Sequence, residues 1–203
     1  NYSNIKQKDR IEFSVGITTY SYRFDTYLVP LVNSIRTFTN NEMIIGINGD
    51  YNVTFDEKYR KNVLELAANN HSVFPFVYPQ FRSLSKIWNN IAINASNNYV
   101  LIMNDDTTIE SRDFFTAVQY NINKFRCSFT MNANNDHFAY FIIDRSELDR
   151  VGWFDERFLG IGWEDLEFKR RYKHIIGKDI LNIEGIPGIK TYFDQQDCVV
   201  NQK

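Results

Sequence analysis

The sequence predicts an α/β domain built on an open, mostly parallel sheet flanked by helices, a three-layer αβα sandwich. Three observations carry this. First, short apolar runs recur at Ile11–Ile17, Glu42–Ile47 and Val100–Met103, too brief for helices and typical of strands buried on both faces. Second, stretches with helical apolar spacing alternate with them, the order that parallel βαβ units require. Third, each run ends in a polar cluster: Thr18–Arg23, Asn48-Gly49-Asp50 and Asn104-Asp105-Asp106. In a parallel sheet these clusters would meet along the edge where open α/β sheets bind ligands.

Taken in order, residues 1–10 are polar and read as an arm, and Ile11–Ile17 is the first strand. A helix is expected from Asp25 to Thr37, with Asp25 as N-cap, an apolar stripe of Tyr27, Leu28, Leu31, Val32 and Ile35, and Pro30 awkwardly inside it. Strand Glu42–Ile47, helix Asp56–Ala68 and strand Ser72–Val77 follow. Residues 84–96 form a helix with Leu84, Ile87, Trp88, Ile91 and Ala95 on one face and Ser85, Lys86 and Asn89 near its start. It leads into the strand that ends in Asn104-Asp105-Asp106. Ser111 caps a helix to Lys124, Cys127–Met131 and Phe138–Ile143 are strands, and Arg145–Val151 is a short helix. After a Gly160-x-Gly162 loop, Trp163-Glu164-Asp165 opens another helix, with Leu166, Phe168 and Tyr172 on its apolar face. The tail from Asp179 to Lys203 reads as a strand or two with a turn at Ile186-Pro187-Gly188.

The 203 residues fit a single domain, and 43% hydrophobic with 16% aromatic residues suffices for a substantial core. Lys plus Arg (23) nearly balance Asp plus Glu (25), so no basic face points to nucleic acid. No apolar run reaches the roughly 18 residues of a membrane span, so no transmembrane segment is expected. The expected location is the cytoplasm of a bacterial or virus-infected cell, with peripheral membrane attachment left open. Cys127 and Cys198 lack metal-ligand spacing and read as free thiols. The sequons at Asn1, Asn52 and Asn94 read as chance in an Asn-rich chain.

Adjacent carboxylates at the exposed end of a buried strand repel each other unless a cation or hydrogen-bond donors meet them. Asn104, Asp105 and Asp106 therefore read either as a turn or as hard oxygen ligands for Mg²⁺ or Mn²⁺. Neither G-x-G-x-x-G nor G-x-x-x-x-G-K-[ST] occurs, which counts against dinucleotide enzymes and P-loop NTPases. Without a glycine cradle a diphosphate needs a cation, which favours Asp106 as ligand. Arg82 and Lys86 lie where they could reach a diphosphate or be merely solvated. Glu164 and Asp165 could simply complement a helix dipole. Beside Trp163 they also suit a sugar, whose C–H face packs on the ring, and an ionised Asp there can take a proton.

Thr18-Thr19-Tyr20, Asn48, Leu84–Asn89, Val100–Thr107 and Val151-Gly-Trp-Phe-Asp through Gly162-Trp-Glu-Asp-Leu-Glu-Phe168 share an order and spacing. It resembles that of GT-A glycosyltransferases of the family 2 type, over roughly residues 11–172. Asn104-Asp105-Asp106 is similar to their D-x-D motif, and Gly162-Trp-Glu-Asp to the acceptor region of galactosyltransferase-like members. The resemblance implies a nucleotide-binding half (11–106), an acceptor-binding half (107–178) and a C-terminal tail (179–203). It implies that Thr18, Tyr20, Asn48 and, as a helper, Asp50 hold base and ribose, and that Asp105 contacts ribose or diphosphate. Arg82, Lys86 and Asn89 join the donor site. Asp106, with Asn104 at the first D-x-D position, would hold Mn²⁺ or Mg²⁺. Asp165 would be the general base, with Glu164 and Trp163 positioning the acceptor.

The implied activity is inverting, hexosyl-type transfer from a nucleotide-diphosphate sugar, by default a uridine diphosphate sugar, to a glycan or glycoconjugate hydroxyl. Asn104 and Asn48 depart from the Asp usual at their positions. Of the His residues sometimes recruited to such metals, His174 reads as helix C-terminal, while His137 could face an acceptor pocket. Two rivals stand beside this reading. A sugar nucleotidyltransferase would carry a glycine-rich loop after the first strand, and Thr18–Arg23 has no glycine. A non-catalytic nucleotide-sugar or carbohydrate-binding module would have no need of both Asp106 and Asp165.

Overall fold

The computed structural model describes residues 11–131, 138–159 and 162–192. Alternation along its central strands builds three layers. In β1 (Ser14–Tyr20), β2 (Met43–Asn48) and β4 (Tyr99–Asn104), the side chains of Val15, Ile17, Met43, Ile45, Ile47, Leu101 and Met103 enter one core. Their neighbours Ile44, Val100 and Ile102 enter the other. This is the period-two alternation of a pleated strand. Helices α1 (Val29–Phe38), α2 (Glu57–Ala68) and α4 (Asp113–Phe125) pack on the first face. Helices α3 (Leu84–Asn94), α5 (Arg145–Val151) and α6 (Glu164–Ile176) pack on the second.

The main sheet also contains β3 (Val73–Tyr78), β6 (Phe129–Thr130), β7 (Tyr140–Asp144) and β8 (Leu181–Asn182). Its order is β3-β2-β1-β4-β7-β6-β8. The pairs from β3 to β4 are parallel, β7 runs antiparallel to β4 and β6, and β6 is parallel to β8. The expected α/β class, with its mostly parallel sheet between helical layers, is the observed one. A smaller antiparallel pair joins β5 (Thr107–Ile109) to β9 (Ile189–Thr191) beside the end of β4. Close approach of α3 to the sheet depends on glycine at two positions. A Cβ on Gly16 would strike Ile91, and one on Gly46 would lie 2.5 Å from Ile87.

Local chemistry explains the helix starts. Asp56 and Ser83 accept from the N–H groups of Lys58 and Lys86, and Asp144 accepts from Ser146. Ser111 Oγ accepts from the Asp113 N–H at 3.0 Å, two residues ahead of α4, and Arg112 rather than Ser111 holds the N-cap position. The first helix corrects the sequence reading. Regular α-helix begins at Val29 rather than Asp25, after a 3₁₀ turn (Ser21–Arg23) and a π-helical turn (Phe24–Leu28). Pro30 lies in its first turn, where a missing N–H costs nothing, so the proline marks the start instead of kinking the middle. The first strand also runs to Tyr20, three residues beyond expectation.

Helix α6 is tied down by polar groups. Tyr172 Oη donates to the buried Glu147 carboxylate at 2.9 Å, and Arg171 donates to the Val151 and Gly152 carbonyls at 3.0 and 2.6 Å. Cys127 is buried as a free thiol and His174 sits in the last turn of α6. The arm 1–10, His137, Gly160 and Cys198 lie outside the described residues. No helix among the described residues is long and apolar enough to cross a membrane.

Candidate active site

The parallel registers align the strand ends: Thr18 pairs with Asn104, Tyr20 with Asn48, and Asn48 with Tyr78. The three polar clusters therefore share one edge. At its centre each residue of the β1 end holds a residue of the β4 end. Thr18 Oγ1 donates to Asn104 Oδ1 at 2.9 Å, and Thr19 Oγ1 donates to Asp105 Oδ2 at 2.5 Å. The Asp105 N–H donates to the Thr18 carbonyl at 3.2 Å.

Arg23 completes the cluster. Its Nε lies 3.1 Å from Asp105 Oδ1, its Nη2 lies 3.8 Å from Asp106 Oδ2, and its guanidinium stacks 4.3 Å from the centre of the Tyr27 ring. The Asp105 side chain is 2% exposed and that of Asp106 18%, so Asp106 is the carboxylate solvent can reach. Burial pushes the Asp105 carboxyl up to about 7, against the opposing pull of Arg23 and the Thr19 hydroxyl.

Tyr20 connects this edge to α6. Burial drives its phenol well above the ordinary tyrosine range, and the charges of Asp105 and Glu164 both add to the effect. Glu164 and Asp165, at the first turn of α6, are buried at 4% and 9% exposure. Burial, then the neighbouring Asp165, raises the Glu164 carboxyl. Its Oε2 has no hydrogen-bond partner among the described residues. Trp163, just before the helix, has a left-handed backbone (φ +75°) and a side chain left in solvent at 70% exposure. A bulky residue at positive φ is strained, and such strain clusters at functional sites.

The fit of a divalent cation rests on the donors of this edge. Among the described residues no group of three or more His, Cys, Asp and Glu side chains could hold a metal unaided. One accessible carboxylate, Asp106, is suited to Mg²⁺ or Mn²⁺ shared with phosphates, and the Asn104 carboxamide oxygen, which accepts from Thr18, keeps one lone pair to add to it. Asp105, spent on Arg23 and Thr19, is not free to join them.

No protein-family model and no curated protein matches the chain. Solved structures do. TarS of S. aureus superposes at a TM-score of 0.66 over 92% of this chain and 38% of its own, with 14% identity. GalNAc-T7, solved with UDP, GalNAc and Mn²⁺, gives 0.72 over 91% and 44%, with 11% identity. The mannosyltransferase PcManGT of Pyrobaculum calidifontis, with GDP-Man and Mn²⁺, gives 0.61 over 85% and 55%, with 12% identity. The fold is GT-A. This chain spans less than two thirds of each of these neighbours.

Within the GT-A domain, several residues expected at the donor site are committed elsewhere. Asn48 is fully buried, and its amide is bonded at both ends to the backbone of Arg82. Asn89 bonds the Phe154 backbone twice and Glu156 once. Lys86 Nζ is 2.8 Å from Glu156 Oε2. Both residues therefore brace the segment after α5. Arg82 is exposed, and its guanidinium donates to the Phe81 carbonyl and to Gln80. Asp50 is partly exposed at the end of β2, beside the stacked Tyr51–Phe81 pair, whose ring centres are 3.9 Å apart.

Sequence reasoning passed over four side chains: Thr19, Arg23, Tyr59 and Glu156. Tyr59 Oη donates to the Tyr20 carbonyl at 3.2 Å. Of these only Arg23 carried a signal, as a lone cation in the loop after β1 facing a predicted pair of carboxylates.

Proposed function

We propose that the domain transfers a hexosyl group from a nucleoside-diphosphate sugar, by default a UDP-sugar, to a hydroxyl of a glycan or glycoconjugate, with inversion. One observation carries this reading: the aligned ends of β1 and β4 gather Thr18, Thr19, Arg23, Asn104, Asp105 and Asp106 into one polar cluster at the edge of the sheet. The Glu164–Asp165 start of α6 is read as the acceptor side of the same site, in keeping with the contribution of Glu164 to the raised Tyr20 phenol. The GT-A fold, with neighbours solved in complex with UDP-GlcNAc and GDP-Man, supports it.

In this mechanism Thr18 and Tyr20 border the nucleoside, and the buried Asp105 holds Arg23 and Thr19 in place beneath the donor. Asp106, with Asn104, would hold a divalent cation. When bound, that cation supplies Lewis-acid stabilisation of the departing diphosphate. The Trp163 ring offers a face for the acceptor sugar. Glu164, whose carboxyl is raised by burial, hydrogen-bonds and orients the acceptor. Asp165 takes the proton of the attacking hydroxyl. That oxygen bonds to the anomeric carbon as the bond to the diphosphate oxygen breaks on the opposite face, so configuration inverts without a covalent enzyme intermediate.

The test is thermal stabilisation by UDP-, GDP- and dTDP-sugars, each with Mn²⁺, Mg²⁺ or EDTA. One nucleotide family should stabilise the fold in a metal-dependent way, by about 2.7 kcal/mol at 100 times its dissociation constant. Absence of metal-dependent binding by all of them in a folded sample would overturn the proposal.

A further inference from the structure

The feature that the proposed mechanism does not use is a buried arginine lodged against two carboxylates. We infer that Arg23 is a positioning residue that sets the charge of the metal site, so that the site takes a divalent cation together with a diphosphate rather than alone. The inference rests on the donor-site reading above.

Both oxygens of Asp105 are occupied, Oδ1 by Arg23 Nε at 3.1 Å and Oδ2 by the Thr19 hydroxyl at 2.5 Å. Asp106 shares the same guanidinium at 3.8 Å and keeps 18% exposure. Arg23 is itself only 7% exposed and lies 4.3 Å over Tyr27, so it is walled in rather than free to swing into solvent. An arginine does not lose its proton in proteins, so this charge is permanent. Two adjacent carboxylates alone would present a charge of −2 to an incoming cation. With Arg23 the cluster presents −1, and the cation must approach a fixed positive charge.

A charge at this range in a partly desolvated site weakens binding of a divalent ion substantially. A diphosphate reverses the balance. It is attracted by the same guanidinium and brings the oxygens the cation lacks. Cation and nucleotide should therefore bind synergistically, each poorly without the other.

The test is a charge-restoring set: wild type, Arg23→Gln, Asp105→Asn and the double variant, at about pH 8. Free Mn²⁺ is followed by electron paramagnetic resonance without nucleotide. R23Q leaves a cluster charge between −1 and −2 and should bind Mn²⁺ about tenfold or more tightly than D105N. D105N lowers it to zero and should bind correspondingly more weakly. The double variant returns to −1 and should bind as wild type does to within about threefold. A purely structural role would make every variant weaker. R23Q or the double variant no tighter than D105N overturns the inference.

If R23Q fails to fold around an unpaired Asp105, the comparison of D105N with the uncharged Gln–Asn pair still decides. Adding UDP, GDP or dTDP to wild type with Mn²⁺ separates the two levels. No binding there overturns the donor-site reading and this inference with it. Binding there, with the variants out of the stated order, overturns the role of Arg23 alone.

Discussion

Asn48 and Arg82 are locked together across 34 residues: Asn48 Nδ2 donates to the Arg82 carbonyl at 2.7 Å, and Asn48 Oδ1 accepts from the Arg82 N–H at 2.8 Å. The amide pins the loop before α3 to the end of β2 and is wholly shielded from solvent. Asn48→Asp keeps the acceptor but sets a buried carboxylate against a carbonyl. It should destabilise the fold by at least about 2 kcal/mol. Urea titration should show the midpoint lowered with little change in slope. In Asn48→Ala the preference among nucleotide bases should stay as in wild type, because the amide is fully buried against the Arg82 backbone and cannot reach one.

Asp105 links stability to pH. Its folded carboxyl is raised to about 7 from an ordinary 3.8, so the folded state binds a proton that the unfolded state has already released. The stabilisation is therefore complete below about pH 4 and is lost as pH rises towards 7. The groups that set this are Arg23 and Thr19, which pull the carboxyl down, and Asp106, which with burial pushes it up. Relative to wild type, metal-free Asp105→Asn should gain stability across that window, by at most about 1.4 kcal/mol per pH unit. Denaturation at intervals from pH 4 to 8 measures it; a flat difference would show that Asp105 titrates normally.

The strand and helix order was legible because the central strands are apolar on both faces and their helices carry regular stripes. Arg145–Val151 was read to the residue, since Asp144 caps it and Gly152 ends it at φ +93°. The end of β1 was missed because Thr18 and Thr19 look like loop residues. Asn104 and Asp105, 86 residues away, make the short hydrogen bonds that satisfy their hydroxyls within a strand. The same separation hid Arg23. The β5–β9 pair is three residues long on each side, too short for any periodicity. Asn48 and Asn89 show the converse error. Buried amides at a sheet edge resemble ligand-reading groups, yet the backbone of Arg82 and of Phe154 uses them up.

In the proposed mechanism Asp165 and Glu164 divide the acceptor chemistry. Asp165→Asn should lower kcat by about 10²- to 10⁴-fold, the usual worth of a positioned base, while donor affinity stays as in wild type. Glu164→Gln keeps the size and hydrogen-bonding capacity of the side chain without its charge. It should lower kcat by less than about tenfold. Single-turnover rates with calorimetric donor binding separate the two, and equal losses would reassign the base.

Trp163 combines a strained backbone with an exposed ring, and two substitutions separate these. At φ +75° any side chain pays a left-handed penalty of about 1–2 kcal/mol that glycine escapes, against a chain-entropy cost of about 0.5–1 kcal/mol. Trp163→Gly should therefore be more stable than Trp163→Ala by about 0.5–1 kcal/mol. Both remove the ring, so both should raise the acceptor KM by about tenfold or more, the worth of one packed aromatic face, with the donor KM held. If the glycine variant keeps a wild-type acceptor KM, the ring is no acceptor platform. If it instead loses kcat and donor affinity together, the left-handed turn serves to aim Glu164 and Asp165, and its strain then belongs to the construction of the site rather than to acceptor contact.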